Sequence, residues 1–142
     1  MKFRAAAATL LMLSLVPASA RVRIYDDRGG QIGEYLAKYQ ALKKSGEPVE
    51  IDGTCASACT MLLGIIPASR LCATAQAVLE FHTAWDLGPS GNQIANSAGN
   101  QILWSYYPDN VRQWITRHGG LQPQILYLRG SELAAMVPIC KN

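Results

Sequence analysis

Val22 and Ile24 alternate with Arg23 and Tyr25, the two-residue period of a short strand. Asp26-Asp27-Arg28-Gly29-Gly30 then reads as a turn. From Gln31 onward, Ile32, Tyr35, Leu36, Tyr39 and Leu42 fall at three- and four-residue spacing, one face of an amphipathic helix. Lys43 and Lys44 suit the negative end of that helix, and Ser45-Gly46 closes it. Pro48 to Asp52 predicts a second strand. Ser57 to Ile66 is apolar and small, which predicts a buried helix. Leu71-Cys72-Ala73 and Val78 to His82 predict two more strands.

A polar, glycine-containing loop is expected over Trp85 to Asn92. Ile94 to Tyr107 and Asp109 to His118 predict two helices parted by Pro108, with Asp109 as N-cap and Gly119 as stop. Gln124 to Leu128 fits either strand or helix. Ser131 to Met136 predicts a last short helix, ended by Pro138. Strands alternating with helices imply an α/β domain, a mostly parallel sheet with helices packed on it. Such sheets carry their sites at the carboxyl ends of strands. Gly29-Gly30, Cys55 to Ala58 and His82 all fall there.

The first residues change the picture of where this domain works. Lys2 and Arg4 precede an apolar stretch, Ala5 to Val16, then Pro17 and Ala18-Ser19-Ala20. That is the pattern of a cleaved secretory signal peptide over residues 1–20, too short to span a bilayer. A periplasmic or secreted protein without a membrane span is expected. Of 142 residues, 122 remain for one small domain, residues 21–142. Loss of Lys2 and Arg4 takes the formal charge from +3 to +1. So nearly neutral a chain lacks the basic face that nucleic acid requires.

Cys55, Cys59, Cys72 and Cys140 are even in number, and an exported chain with four cysteines points to two disulfides. Three connectivities are open. Cys55, Cys59 and Cys72 with His82 would make a zinc set, but an oxidising compartment argues against free thiolates. No metal or other cofactor is expected.

The candidate chemistry lies in Gly53-Thr54-Cys55-Ala56-Ser57-Ala58-Cys59-Thr60 and in Phe81-His82. A serine hydroxyl becomes a nucleophile when a base takes its proton, and His82 is the candidate base for Ser57. Acyl transfer also needs donors for the developing oxyanion. The Ala58 N–H, at the start of a helix, and the Gly30 N–H, in the glycine turn, are the candidates. The competing roles are structural: Ser57 as a helix N-cap, His82 as a strand-end histidine, and Asp26 to Arg28 as a solvated loop. His118 reads as a last-turn cation. Trp104, Trp114, Tyr106 and Tyr107 read as core, and Trp85 as rim or cleft wall.

Asp27-Arg28-Gly29-Gly30, a helix, a strand, Gly53-x-Cys55-Ala56-Ser57-Ala58, an apolar helix and Phe81-His82 together resemble the Clp-type serine peptidases of the Clp/crotonase superfamily. The likeness is closest to small exported Clp-like proteins with serine in a Cys-x-Ser-Ala-Cys context. It implies Ser57 as nucleophile, His82 as general base, and Gly30 and Ala58 as oxyanion donors. It implies a peptide or small acyl substrate. An ATP-driven unfoldase partner is not expected outside the cytoplasm. Ring formation in that family makes a homo-oligomer conceivable. The family's triad aspartate would fall within Leu121 to Gly130, which holds no acid. Asp86, Asp109 and Glu132 are the substitutes to consider, since loss of the orienting acid costs about 10⁴ in turnover. The rival expectation is a non-catalytic, disulfide-stapled binding module on the same fold.

Overall fold

A computed structural model describes residues 20–141. The expected leader, 1–20, thus lies almost wholly outside the described residues. β1 (Val22–Asp27), α1 (Ile32–Ser45) and β2 (Val49–Ala56) follow the predicted order. A five-residue 3₁₀ segment, Ser57–Met61, leads into α2 (Leu62–Ile65). Another 3₁₀ turn, Ala68–Arg70, precedes β3 (Leu71–Ala73) and β4 (Val78–Phe81). β5 (Trp85–Leu87), β6 (Gln93–Ala95), α3 (Ser97–Tyr106), α4 (Asp109–Arg117), β7 (Leu126–Arg129) and α5 (Gly130–Ala134) complete the fold.

β2 is the strand on which the sheet is built. Its burial is nearly continuous, as befits a strand covered on both faces. It pairs in parallel with β1 through Val22↔Val49 to Asp27↔Cys55. Its first half pairs with β3 (Val49↔Leu71) and its second half with β4 (Thr54↔Val78), also in parallel. β7 then adds to β4 antiparallel, Val78↔Arg129 to Phe81↔Leu126, so the sheet is mixed. The core gathers Ile51, Cys55, Leu79 and Phe81 from the sheet against Tyr39, Met61, Leu62, Leu103 and Ile115 from the helices. Phe81 packs edge-on to Tyr107 with ring centroids 5.2 Å apart, and tilted to Trp114 at 5.9 Å. A side chain at Gly64 would meet the Tyr106 carbonyl oxygen at 1.6 Å, so only glycine lets α2 lie this close to the end of α3.

Four expectations are corrected, the last of them the Asp109 N-cap. The segment from Ser57 is 3₁₀ for five residues, because the chain turns sharply off β2 before the α-helix can start. Trp85 to Asn92 is not all loop. Trp85–Leu87 pairs with Gln93–Ala95 as a hairpin, and all six residues are exposed, so no buried alternation announced it. α3 starts at Ser97 rather than Ile94, because Asn96 accepts from the Gly99 N–H at 2.7 Å and caps the helix there. Gly46 closes α1 in the left-handed conformation, as predicted. α4 begins with Asp109 as its first helical residue and Pro108 as its cap. No helix among the described residues is long and apolar enough to cross a membrane.

All four cysteines are paired, Cys55 with Cys59 and Cys72 with Cys140. The rival thiolate set for zinc therefore does not assemble. Two disulfides fit an oxidising environment. The second holds the C-terminal segment beside β3, where Ile139 bridges to Ala73.

Candidate active site

Ser57 follows the last residue of β2 with φ of 55°, a left-handed conformation rare for a residue with a side chain. Such an outlier persists only where surroundings over-determine it, and such outliers cluster at functional sites. A serine on a strained strand-to-helix turn is presented outward from the sheet. The surroundings are specific. Ser57 O accepts from Thr60 Oγ1 at 2.6 Å, and Cys59 O accepts from Tyr39 OH at 3.0 Å. The Cys55–Cys59 bond closes the segment into a ring. Ser57 is not an N-cap. Ala56 holds that position, and among the described residues no hydrogen bond engages the Ser57 hydroxyl.

Gly29 backs this turn. A Cβ there would lie 2.5 Å from Ala56 O, 2.9 Å from Ser57 Cβ and 3.2 Å from Ala58 N, and its φ is +81°. The glycine is required on both counts. Asp27 sets the turn that carries it. Its Oδ1 accepts from the Gly29 N–H at 3.0 Å and from Tyr35 OH, and its Oδ2 accepts from Lys38 Nζ at 3.0 Å. Burial pushes the Asp27 carboxyl up, but the bonds from Tyr35, Gly29 and Lys38 outweigh it and hold it below the ordinary carboxylate range. Burial first, and then the Asp27 and Glu34 carboxylates, push the Tyr35 phenol up. Asp26, also at positive φ, accepts from the Thr54 N–H at 2.9 Å. Asp26 and Asp27 are thus the scaffold of the glycine turn rather than a solvated loop. The Asp-x-Gly spacing of an Asx turn was the available signal.

The Gly29 N–H is committed to Asp27, which leaves the Gly30 N–H, with no acceptor among the described residues, at the cleft. The Ala58 side chain is fully buried behind the turn. Its N–H lies in the first turn of the 3₁₀ segment, where amides have no intrahelical partner.

His82 follows β4. Its Nδ1 lies 2.8 Å from the Thr83 carbonyl oxygen, which makes Nδ1–H the donor and leaves Nε2 as the basic nitrogen. The Thr83 N–H is held by Gln122 O at 2.9 Å, and the Ala84 N–H by Asn100 Oδ1 at 2.6 Å. The strand end is therefore fixed from two sides. Among the described residues no carboxylate is hydrogen-bonded or ion-paired to His82. Glu132 accepts from Trp114 Nε1 at 3.1 Å and Asp109 pairs with Arg112, whereas Asp86, on exposed β5, lines the same cleft as Ser57 and His82 without bonding to the ring. The histidine's orienting partner is a main-chain carbonyl, which no side-chain pattern could reveal.

Ser57 and His82 line one cleft of about 790 Å³, together with Gly29 and Gly30. Its walls are the start of α1 (Ile32, Leu36), the hairpin (Trp85, Leu87) and α3 (Ile102). Ser57 and His82 are not hydrogen-bonded to each other, as is common before a substrate closes a site. Trp85 is a cleft wall, 42 % exposed. Tyr107 and Trp114 are core, and His118 stacks on Trp114 at 4.3 Å, a structural role. In a scan against protein-family models and a search of curated proteins, nothing matched this chain.

Proposed function

We propose that this chain is a Clp-like serine hydrolase on a divergent Clp/crotonase fold, acting on a peptide or small acyl substrate outside the cytoplasm. One observation carries the reading. Ser57 is held at positive φ, with no hydrogen bond to its hydroxyl among the described residues, in the cleft that His82 also lines. Strain of this kind costs about 1–3 kcal/mol and has no use in a helix cap.

In this reading Ser57 Oγ attacks the substrate carbonyl carbon while His82 Nε2 takes its proton. The electron pair moves to the carbonyl oxygen, which the Gly30 and Ala58 N–H groups stabilise. Collapse of the tetrahedral species expels the leaving group, which takes the proton back from Nε2. Water then releases the acyl group by the same steps in reverse. The Thr83 carbonyl keeps Nδ1 protonated, which selects the tautomer a triad aspartate otherwise selects. It offers a dipole rather than a full charge to the imidazolium, so slow turnover is expected.

That no carboxylate among the described residues bonds to His82 favours a second reading, a disulfide-stabilised binding module on the same fold. A fluorophosphonate separates the two. Oxidised protein recovered from an oxidising compartment is treated with the probe, and intact mass and peptide mapping follow. A single adduct on Ser57, abolished in Ser57→Ala and slowed about 10²–10⁴-fold in His82→Ala, supports the hydrolase. A folded protein without an adduct supports the binding module. Light scattering on the same sample reads whether copies associate.

A further inference from the structure

We infer that the Cys55–Cys59 disulfide is a positioning element for the nucleophile turn, with the work of stabilising the fold left to Cys72–Cys140. The two bonds differ in what they close. Cys72–Cys140 spans 68 residues and ties the C-terminal segment to β3. Cys55–Cys59 spans 4 and encloses Ala56, Ser57 and Ala58. Its ends are already placed by other means. Cys55 is paired in the sheet to Asp27 and Leu79, and the Cys59 carbonyl is tied to Tyr39. A ring this short restricts the unfolded chain only about half as much as the longer loop does. In the folded chain it restricts the local path of three residues.

Those three include the left-handed Ser57 and the Ala58 N–H. Gly29 lies against one side of the turn, where any Cβ would meet Ala56 O, Ser57 Cβ and Ala58 N. The disulfide closes the other, inside the core, where both cysteines are fully buried. Without it, Ser57 has an open route to the right-handed conformation its side chain prefers. That rotation would redirect both the hydroxyl and the following N–H. The bond therefore acts through Ser57 and Ala58, and touches no substrate. This role rests on Ser57 being the nucleophile, as proposed above, yet its backbone consequence is measurable without chemistry.

The test uses Cys55→Ala/Cys59→Ala and, as its mirror, Cys72→Ala/Cys140→Ala. Three quantities are read on each oxidised protein: the unfolding midpoint, the rate of fluorophosphonate labelling, and amide hydrogen exchange resolved by residue. The first variant is expected to stay folded. Its labelling should slow about 10²-fold, as for a reacting group displaced by about 1 Å. Amide exchange should rise about 10-fold or more at Cys59 to Met61, the amides inside the 3₁₀ segment, and not elsewhere. The mirror variant should lose midpoint, while its folded fraction labels at the original rate.

Labelling within about twofold of the parent in a folded Cys55→Ala/Cys59→Ala protein overturns the role. Slower labelling without faster local exchange overturns it too, because the loss then does not come from the turn. Failure of that variant to fold overturns it as well, since the bond would be a staple. If the parent itself takes no label, the hydrolase reading falls, and exchange alone decides. A local rise then keeps the bond as the element that fixes this turn, and no rise removes it.

Discussion

Replacing Gly29 with alanine adds one methyl group where the structure leaves no room for it. The new Cβ would stand 2.5 Å from Ala56 O and 2.9 Å from Ser57 Cβ, and both are parts of the nucleophile turn rather than ends of flexible side chains. Two costs combine. A φ of +81° puts an L-residue in the left-handed region, which costs about 1–2 kcal/mol. Crowding in a packed site costs about 1–3 kcal/mol more. Together they predict a loss of about 2–5 kcal/mol, a large fraction of the stability of a small domain. Gly46 supplies the control. Its φ is +77° and a Cβ there meets nothing within 4 Å, so Gly46→Ala pays the conformational part alone. The unfolded-chain effect of glycine-to-alanine replacement is common to both and cancels in the difference. Urea denaturation of the two variants therefore isolates the crowding. Relief of the clash must move Ser57 or the glycine turn, so fluorophosphonate labelling should slow about 10²-fold in Gly29→Ala. It should be unchanged in Gly46→Ala. If the two variants agree within about 0.5 kcal/mol and label alike, Gly29 does not support the nucleophile turn as described.

Other consequences follow from groups already described. Asp27→Asn removes the charge that holds Tyr35 and Lys38, and after allowance for solvent screening it should cost about 1–2 kcal/mol in urea denaturation at neutral pH. Because the folded Asp27 value lies below the unfolded one of about 3.9, its contribution is complete above that pH and is lost as pH falls through the folded value. The Asn variant should therefore show a flatter acid limb, and an unchanged limb would refute the assignment. At the alkaline end, burial pushes the Tyr107 phenol up to about 12 despite its bond to Thr60, and burial raises Tyr39 further. Their contribution is complete below the unfolded value of about 10 and is lost as pH rises through the folded values. Ultraviolet titration should show these phenolates forming only as circular dichroism reports unfolding, and earlier ionisation would contradict their burial. Loss of Cys72–Cys140, which spans 68 residues, should cost about 4 kcal/mol, against about 2 kcal/mol for the shorter bond. Paired denaturation curves that reverse this order would refute the division between the two.

The strand ends that line the candidate cleft could be read in advance, because Val78 to Phe81 and the small residues around Ser57 carry strong period and turn signals. The central helix α1 was equally legible from Ile32 to Leu42, since one buried face imposes its spacing. The hairpin was not. Trp85–Leu87 and Gln93–Ala95 are exposed throughout, so nothing in their polarity distinguishes strand from loop. The orientation of β7 was also hidden, because Leu126 to Arg129 acquires its direction only by docking on β4. At the site itself, the pairing of Cys55 with Cys59 and the carbonyl partner of His82 are facts of three-dimensional closure. The role of Asp27 was within reach, through its spacing to Gly29, but a run of charged residues beside glycines reads more readily as solvated.

The unequal spans of the two disulfides also bear on how the chain acquires its native pairing. Three cysteines, Cys55, Cys59 and Cys72, are made well before Cys140. During that interval an oxidant meets an odd number of thiols, and Cys72 has two wrong partners available. Closure of a flexible loop weakens with its length, and Cys59 lies four residues from Cys55 but thirteen from Cys72, so the small ring is the favoured early bond. Early closure of the small ring withdraws both competitors and leaves Cys72 a single partner to await. On that order the pairing follows from proximity along the chain and the sequence of synthesis.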